Sequence, residues 1–422
     1  MARRAVITGI GVVAPGGIGR APFWQLLADG RTATRTITQF DADAHRCRVA
    51  AECDFDPLAL GLTPQEVRRT DRVSQLAMVA AGEALTDSGL ELDGALAERT
   101  GVAIGSAVGG TTTMEREYSV LSNGGRDWVV DPSFAVPHLY DYFLPSSIAA
   151  EVARTSGALG PATVVSTGCT SGIDSVGYAA ELIRDGDADV MVTGATDAPI
   201  SPITLTCFDV IRATSARNDD PATACRPFDR TRTGLILGEG AAVLILEEYE
   251  HARRRGATIY AQVSGYASRC NAFHMTGLKP DGREMSEAID LAMNEAQVNP
   301  TDIDYVNAHG SGTKQNDRHE TAAVKRSLGE HAYDTPMSGI KAMIGHSLGA
   351  IGSLEIAACA LSMRNGVVVP TANLHEPDPE CDLDYVPNTA REKQLDTVLT
   401  VGSGFGGFQS AMVLTSLERT AS

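Results

Sequence analysis

The chain has 422 residues, too many for one simple core, and its 43% hydrophobic and 21% charged content is ordinary for a folded globular protein of two domains or two fused halves. A formal charge of −18 disfavours nucleic acid and anionic membranes as partners, and an acidic protein could dock only on a local basic patch. No apolar stretch is long enough to span a bilayer. Met1-Ala2-Arg3-Arg4 leads into only a short apolar run, which is no secretory signal. The eight cysteines form no CxxC pair and no regular spacing, which argues against a disulfide framework or zinc site and for a reducing cytoplasm.

Apolar and β-branched runs alternate with helical periodicity along the whole chain, the pattern of an α/β protein. Strands are expected at Ala5–Ile10 and Thr100–Ile104, with a helix at Gln75–Ser88 between them. Strand Thr163–Val165, helix Ser171–Arg184 and strands Val190–Thr193 and Ala242–Glu247 follow. The second half repeats the theme: strand Thr258–Tyr266, helix Glu284–Ala296, strand Ile303–Ala308, helices Arg318–Leu328 and Ser347–Arg364, and strands Val367–Val369, Thr397–Val401 and Gln409–Leu414. Residues 107–148 interrupt the pattern with Gly, Thr, Pro and aromatics, and read as an inserted lid or interface.

A faint internal echo accompanies this alternation. Val165-Ser166-Thr167-Gly168 leads into an Ala-rich helix ending Arg184-Asp185-Gly186; Ser338-Gly339-Ile340 leads, through a Gly-rich turn, into a helix ending Arg364-Asn365-Gly366. Two similar α/β halves are therefore expected, 1–255 and 256–422, joined near the polar run Glu250-His251-Ala252-Arg253-Arg254-Arg255-Gly256.

The chemistry centres on Cys169, in Val164-Val165-Ser166-Thr167-Gly168-Cys169-Thr170-Ser171-Gly172, where a strand gives way to a helix. A thiol at the positive end of a helix dipole is expected to have a lowered pKa and enough thiolate to attack an acyl carbonyl. Downstream stand His309, in Asn307-Ala308-His309-Gly310-Ser311-Gly312-Thr313, and Lys341 and His346, in Lys341-Ala342-Met343-Ile344-Gly345-His346-Ser347. Each lies at a strand-to-loop junction. A nucleophile, two imidazoles and a cation suit carbanion chemistry on a thioester. Val401-Gly402-Ser403-Gly404-Phe405-Gly406-Gly407-Phe408 is a Gly-rich turn after a strand, able to bring backbone N–H groups close to a developing oxyanion.

Three patterns point elsewhere and are set aside. Gly345-His346-Ser347-Leu348-Gly349 matches a nucleophile elbow, but the only acid between Ser347 and the sole later histidine, His375, is Glu355 in mid-helix. Gly9-Ile10-Gly11-Val12-Val13-Ala14 fits a dinucleotide-binding pattern but runs into Pro15-Gly16-Gly17 instead of a helix, and is expected to be a turn. Asp317, His319 and Glu320 cluster at a helix start without a fourth metal ligand nearby.

These motifs, in this order and approximate spacing, resemble the Cys-His-His members of the β-ketoacyl synthases over nearly the whole chain. Thr167-Gly168-Cys169-Thr170-Ser171-Gly172, Cys270-Asn271-Ala272-Phe273-His274-Met275-Thr276, Gln315-Asn316-Asp317-Arg318-His319-Glu320-Thr321 and Asp378-Pro379-Glu380-Cys381-Asp382-Leu383-Asp384-Tyr385 bring it closer to the ketosynthase alpha subunits of bacterial type II aromatic polyketide synthases. The resemblance implies a thiolase-like fold, two duplicated α/β halves in α-β-α-β-α layers. It implies decarboxylative Claisen condensation: Cys169 takes the acyl chain from the phosphopantetheine arm of an acyl carrier protein, and malonyl carrier protein loses CO2 to give the attacking enolate. No metal or other bound cofactor is implied. His309 and His346 would stabilise the enolate, the N–H groups of Cys169 and Phe405 the acyl oxyanion, and Lys341, paired with Glu355 or Asp317, would hold charge in place. Gly404, Phe405 and Gly406 would form the gate. Ser311 and Thr313 match pantetheine contacts, with Gly312 departing from the fatty-acid pattern, and Arg68, Arg69 and Arg212 match carrier-protein docking positions. The implied partner is a chain-length-factor paralogue. The alternatives are a homodimeric fatty-acid synthase of the same family, a biosynthetic thiolase (which needs a cysteine beyond Cys381) and the non-catalytic chain-length factor itself, which Cys169 argues against.

Overall fold

A computed structural model describes residues 3–417. Ten strands lie edge to edge in one sheet: Met337–Ser338, Tyr305–Asn307, Thr397–Gly404, Phe408–Thr415, Ala261–Cys270, Ala5–Ala14, Gly240–Glu248, Val190–Asp197, Thr100–Gly105 and Ala162–Val165. Gly17–Ile18 pairs back on Ala5–Ala14. Numbered within its own half, each set of five strands runs third, second, fourth, fifth, first. The pairing senses also repeat. In both halves the second strand is parallel to the third and fourth, while the fourth, fifth and first alternate antiparallel. The halves join where the two first strands pair antiparallel, with Ala5 opposite Val263 and Ile7 opposite Ala261. The internal echo is thus a repeat of topology.

Helices Ser171–Asp185 and Ile351–Asn365 each follow the third strand of their half and pack together between the two half-sheets. Every residue of Ile351–Met363 is buried, as a helix covered on all sides requires. Arg72–Ser88 and Ser146–Ser156 cover one outer face, and Arg283–Ala296 and Lys314–Leu328 the other. The order is helix, sheet, helix, sheet, helix.

The pair Gly9 and Gly11 corrects the sequence reading. It lies inside the strand Ala5–Ala14, not in a turn. A Cβ on Gly11 would stand 1.9 Å from the Ala80 carbonyl oxygen, and one on Gly9 2.3 Å from that of Ala84. The missing side chains let helix Arg72–Ser88 lie directly on the strand.

Of residues 107–148, those before Ser146 stand apart from the layers, with helices Thr111–Leu121 and Leu139–Phe143, and the last three open helix Ser146–Ser156 on the outer face. Trp128 is 93% exposed, and Phe134, Tyr140 and Phe143 are also exposed. Among the described residues no helix is long and apolar enough to cross a membrane. All eight cysteines are free.

Candidate active site

Four strand ends deliver the groups singled out in the sequence. Cys169 follows Ala162–Val165, His309 follows Tyr305–Asn307, Lys341 and His346 follow Met337–Ser338, and Phe405 follows Thr397–Gly404. Such loops are where open α/β sheets bind ligands. Cys169, His309, His346, Phe405, Gly404, Ser311 and Thr313 line one cavity of about 570 Å³.

Cys169 lies in the 3-10 turn Gly168–Thr170 immediately before helix Ser171–Asp185. Gly168 has φ +63°, a conformation that favours glycine, and Ser171 Oγ donates to its carbonyl at 2.6 Å. The Phe405 backbone N–H donates to the thiol. The expected depression of the thiol pKa is not found. Burial pushes Cys169 up to about 11, against the opposing pull of Lys341 and the Phe405 N–H. Raised in this way, the thiol rests protonated at neutral pH, half-buried on the wall of the cavity.

The rings of His309 and His346 stand edge to face, 5.2 Å apart between centroids and 78° between planes. Burial, reinforced by Lys341, holds both well below the ordinary imidazole pKa, so both are neutral. The Leu348 N–H donates to His346 Nδ1 at 3.1 Å. The ring proton is thereby assigned to His346 Nε2, which makes Nε2 a donor. His309 is held through its backbone: its N–H donates to Glu320, its carbonyl accepts from Lys341 Nζ, and Gly310 N–H donates to Glu320 Oε2 at 2.9 Å.

Of the two acids considered for Lys341, the structure selects Glu355, 2.5 Å from Nζ, with both side chains fully buried. Asp317 instead lies 3.0 Å from Arg232 and accepts from the N–H groups of Phe228 and Gly312, at 2.9 and 3.2 Å. His319 Nδ1 bonds the Lys279 carbonyl at 2.6 Å. The cluster at the helix start is therefore spent on separate partners. Among the described residues no group of three or more His, Cys, Asp or Glu could hold a metal ion. Ser347 is buried and its Oγ has no hydrogen-bond partner, so no base serves the elbow pattern.

The Phe405 ring stacks on Phe208, 6.0 Å between centroids with planes 24° apart. Gly406 has φ +92° and its N–H donates to the Met275 carbonyl at 2.6 Å. At the other side of the cavity Ser311 Oγ and Thr313 Oγ1 are 3.0 Å apart, and Thr313 caps helix Lys314–Leu328. Arg46, Arg212 and Lys314 also line the cavity. Arg68 is exposed on helix Pro64–Arg69 and does not line it. Arg69 makes a two-pronged internal pair with Glu151 at 2.7 and 2.9 Å, so its guanidinium is largely committed inside the chain. Phe208, Arg232, Arg46 and Asp197 went unremarked in the sequence; only Asp197, an acid closing an apolar strand, carried a readable signal.

The family model for the beta-ketoacyl synthase N-terminal domain matches residues 2–252, and that for its C-terminal domain residues 260–375. The chain belongs to the β-ketoacyl synthases. It is 66% identical, over 100% of its length and 99% of the relative, to the tetracenomycin polyketide synthase ketoacyl synthase alpha subunit of Streptomyces glaucescens. It is 41% identical, over 98% of both chains, to the 3-oxoacyl-[acyl-carrier-protein] synthase 2 of Coxiella burnetii. Among solved structures, a type II polyketide synthase ketosynthase, in complex with its acyl-carrier protein and bound to a hexaketide, matches with TM-score 0.92 at 37% identity, covering 99% of this chain and 100% of that one. The ishigamide ketosynthase/chain length factor matches at 0.89 and 33%, covering 99% and 100%. This β-ketoacyl synthase is accordingly a thiolase-like condensing enzyme of the type II polyketide synthase alpha class, and the fatty-acid and non-catalytic alternatives are not favoured.

Proposed function

We propose that the chain elongates an acyl or polyketide chain held on Cys169, using malonyl carrier protein as the extender. The observation that carries this reading is the convergence of a thiol, two neutral imidazoles and the Phe405 N–H on one cavity. In loading, Cys169 Sγ attacks the carrier-bound thioester. The new C–S bond forms, the bond to the phosphopantetheine sulfur breaks, and the proton of the neutral thiol ends on the departing pantetheine thiol. The N–H groups of Cys169 and Phe405 are the donors for the tetrahedral oxyanion.

In condensation, malonyl thioester loses CO2 and the electron pair of that C–C bond becomes an enolate. The neutral N–H donors of His309 and His346 stabilise its oxygen without giving up their protons. The enolate carbon attacks the Cys169 thioester, a C–C bond forms, and the Cys169 sulfur leaves as thiolate and takes a proton from solvent, the one proton the condensation consumes. Lys341, held by Glu355, fixes the His309 loop through its carbonyl. Ser311 and Thr313 line the approach of the pantetheine arm, and Phe405 with Phe208 closes it to water.

The same reading divides the chain near residue 255 into a nucleophile half and a His/Lys/His half. It seats a chain-length-factor paralogue on the exposed aromatics of 107–148, docks an acyl carrier protein beside Arg212 with Arg68 as an outlying contact, drops Arg69, which Glu151 holds, and places the enzyme in the cytoplasm. Mass spectrometry after incubation with acylated carrier protein tests it. The acyl mass is expected on Cys169, and labelling that persists in Cys169→Ala would defeat the mechanism.

A further inference from the structure

Asp197 has no part in the chemistry just described, yet it sits beside it. It ends the strand Val190–Asp197 and is fully buried. Its four hydrogen bonds come from two directions. Oδ1 accepts from Ser106 Oγ at 2.8 Å and from Val108 N–H at 3.2 Å; Oδ2 accepts from Ala107 N–H at 2.8 Å and Gly349 N–H at 2.7 Å. All four partners are donors, which suits a carboxylate and not an amide.

The contact with Gly349 is built to be close. A Cβ there would stand 2.6 Å from Asp197 Oδ2 and 2.5 Å from the Ala107 nitrogen. The residue before it, Leu348, has φ +49°, a left-handed conformation that is strained for a residue with a side chain. That turn aims the Leu348 N–H at His346 Nδ1. Without an external hold, the turn would relax and Nδ1 would lose its donor. The neutral ring could then carry its proton on either nitrogen.

We infer that Asp197 is a positioning residue for the condensation: by gripping Gly349 it keeps the strained Leu348 turn that reserves the His346 Nε2 proton for the substrate oxygen. The inference rests on the reading of His346 as a donor to the enolate. The carboxylate also holds Ala107 and Val108, the first residues of the 107–148 segment, so displacement of that segment reaches the His346 turn through one side chain.

The experiment uses the full chain with its partner subunit and compares two half-reactions, malonyl carrier protein decarboxylation and iodoacetamide alkylation of Cys169. Asp197→Asn is expected to lower decarboxylation on the order of ten- to a hundred-fold, in kcat and not KM. Alkylation should not slow, since the lost negative charge had been raising the thiol pKa. Unchanged decarboxylation, or an equal loss in both reactions, would overturn the inference. Should Asp197→Asn not fold, two milder variants decide. Gly349→Ala crowds the grip and should reproduce the selective loss, whereas Ser106→Ala removes two bonds on the far side, to Asp197 Oδ1 and from the Gly109 N–H, and should stay within about twofold of wild type. Equal behaviour of those two variants would also overturn it. Wild-type enzyme unable to decarboxylate malonyl carrier protein would instead defeat the proposed function itself.

Discussion

Lys341 Nζ lies 2.5 Å from Glu355 Oε1 with both side chains fully buried, one on each side of the turn that carries His346. Removing one partner leaves the other charge in a site without water. Glu355→Leu is expected to cost about 3–5 kcal/mol in urea denaturation. The double variant Lys341→Met/Glu355→Leu should recover most of that stability while decarboxylation stays lost. Recovery of both together would mean that the pair is only a structural strut.

The thiol of Cys169, pushed up to about 11, sets a pH signature. Only the thiolate is alkylated, so the rate of iodoacetamide labelling should climb close to tenfold per unit between about pH 7 and pH 10. A plateau reached by about pH 8 would show the depressed thiol that the helix dipole alone suggests.

His309 and His346 have folded pKa values well below the ordinary imidazole value, so both keep their lone pair and single N–H as the pH falls through the usual histidine range. The two histidines therefore impose no fall in decarboxylation between about pH 8 and about pH 6; Glu355 and Asp197, pushed up by burial to about 7 and about 6, are the groups whose protonation would lower it there. The cost appears in stability. The two histidines take up protons near pH 6.5 only on unfolding, which lowers stability as pH drops through that value, while Glu320, Glu355 and Asp197, pushed up to about 8, 7 and 6, take up theirs in the folded chain and offset it. A His309 or His346 ring titrating near pH 6.5 in the folded enzyme, read by NMR, would contradict the assignment.

Phe208 and Phe405 stack at 6.0 Å, and pairs of this kind contribute about 0.5–1.5 kcal/mol. Phe208→Ala should open the gate more often and shorten the half-life of acyl-Cys169 in water by about two- to tenfold, measured by mass spectrometry. An unchanged half-life would remove Phe208 from the gate.

Two glycines make a stability contrast. Gly11→Ala meets the Ala80 carbonyl at 1.9 Å and is expected to cost about 1–3 kcal/mol or prevent folding. Gly82, inside helix Arg72–Ser88, has nothing within 4 Å of an added Cβ, so Gly82→Ala should stabilise by about 0.5–1 kcal/mol. Thermal denaturation of both reads the difference.

The α/β alternation and the residues of the cavity were legible because periodicity and strand-end motifs are local, whereas the layer order came from the family resemblance. Every strand and helix expected from the pattern lies within a turn of its observed place, and Cys169, His309, His346 and Phe405 meet as the motifs imply. What stayed open or failed were questions of environment. The partner of Lys341 depends on which acid the third dimension brings near, and Asp317 was taken by Arg232, which no motif marked. The dipole argument for Cys169 omitted desolvation, a sum over all surrounding atoms. Gly9 and Gly11 looked like a turn because the helix that needs their bareness begins some sixty residues later.

The repeated strand order carries a last consequence. The loop after the third strand bears Cys169 in one half and Lys341 and His346 in the other, and the two arrive face to face at one cavity. In the proposed reaction one copy supplies the thiol and its own N–H, and its twin supplies the two imidazole donors and the Phe405 N–H. Neither copy holds a complete set of reacting groups, so the two could specialise separately: changes that tune the acyl acceptor are written in one stretch of chain, and changes that tune decarboxylation in another.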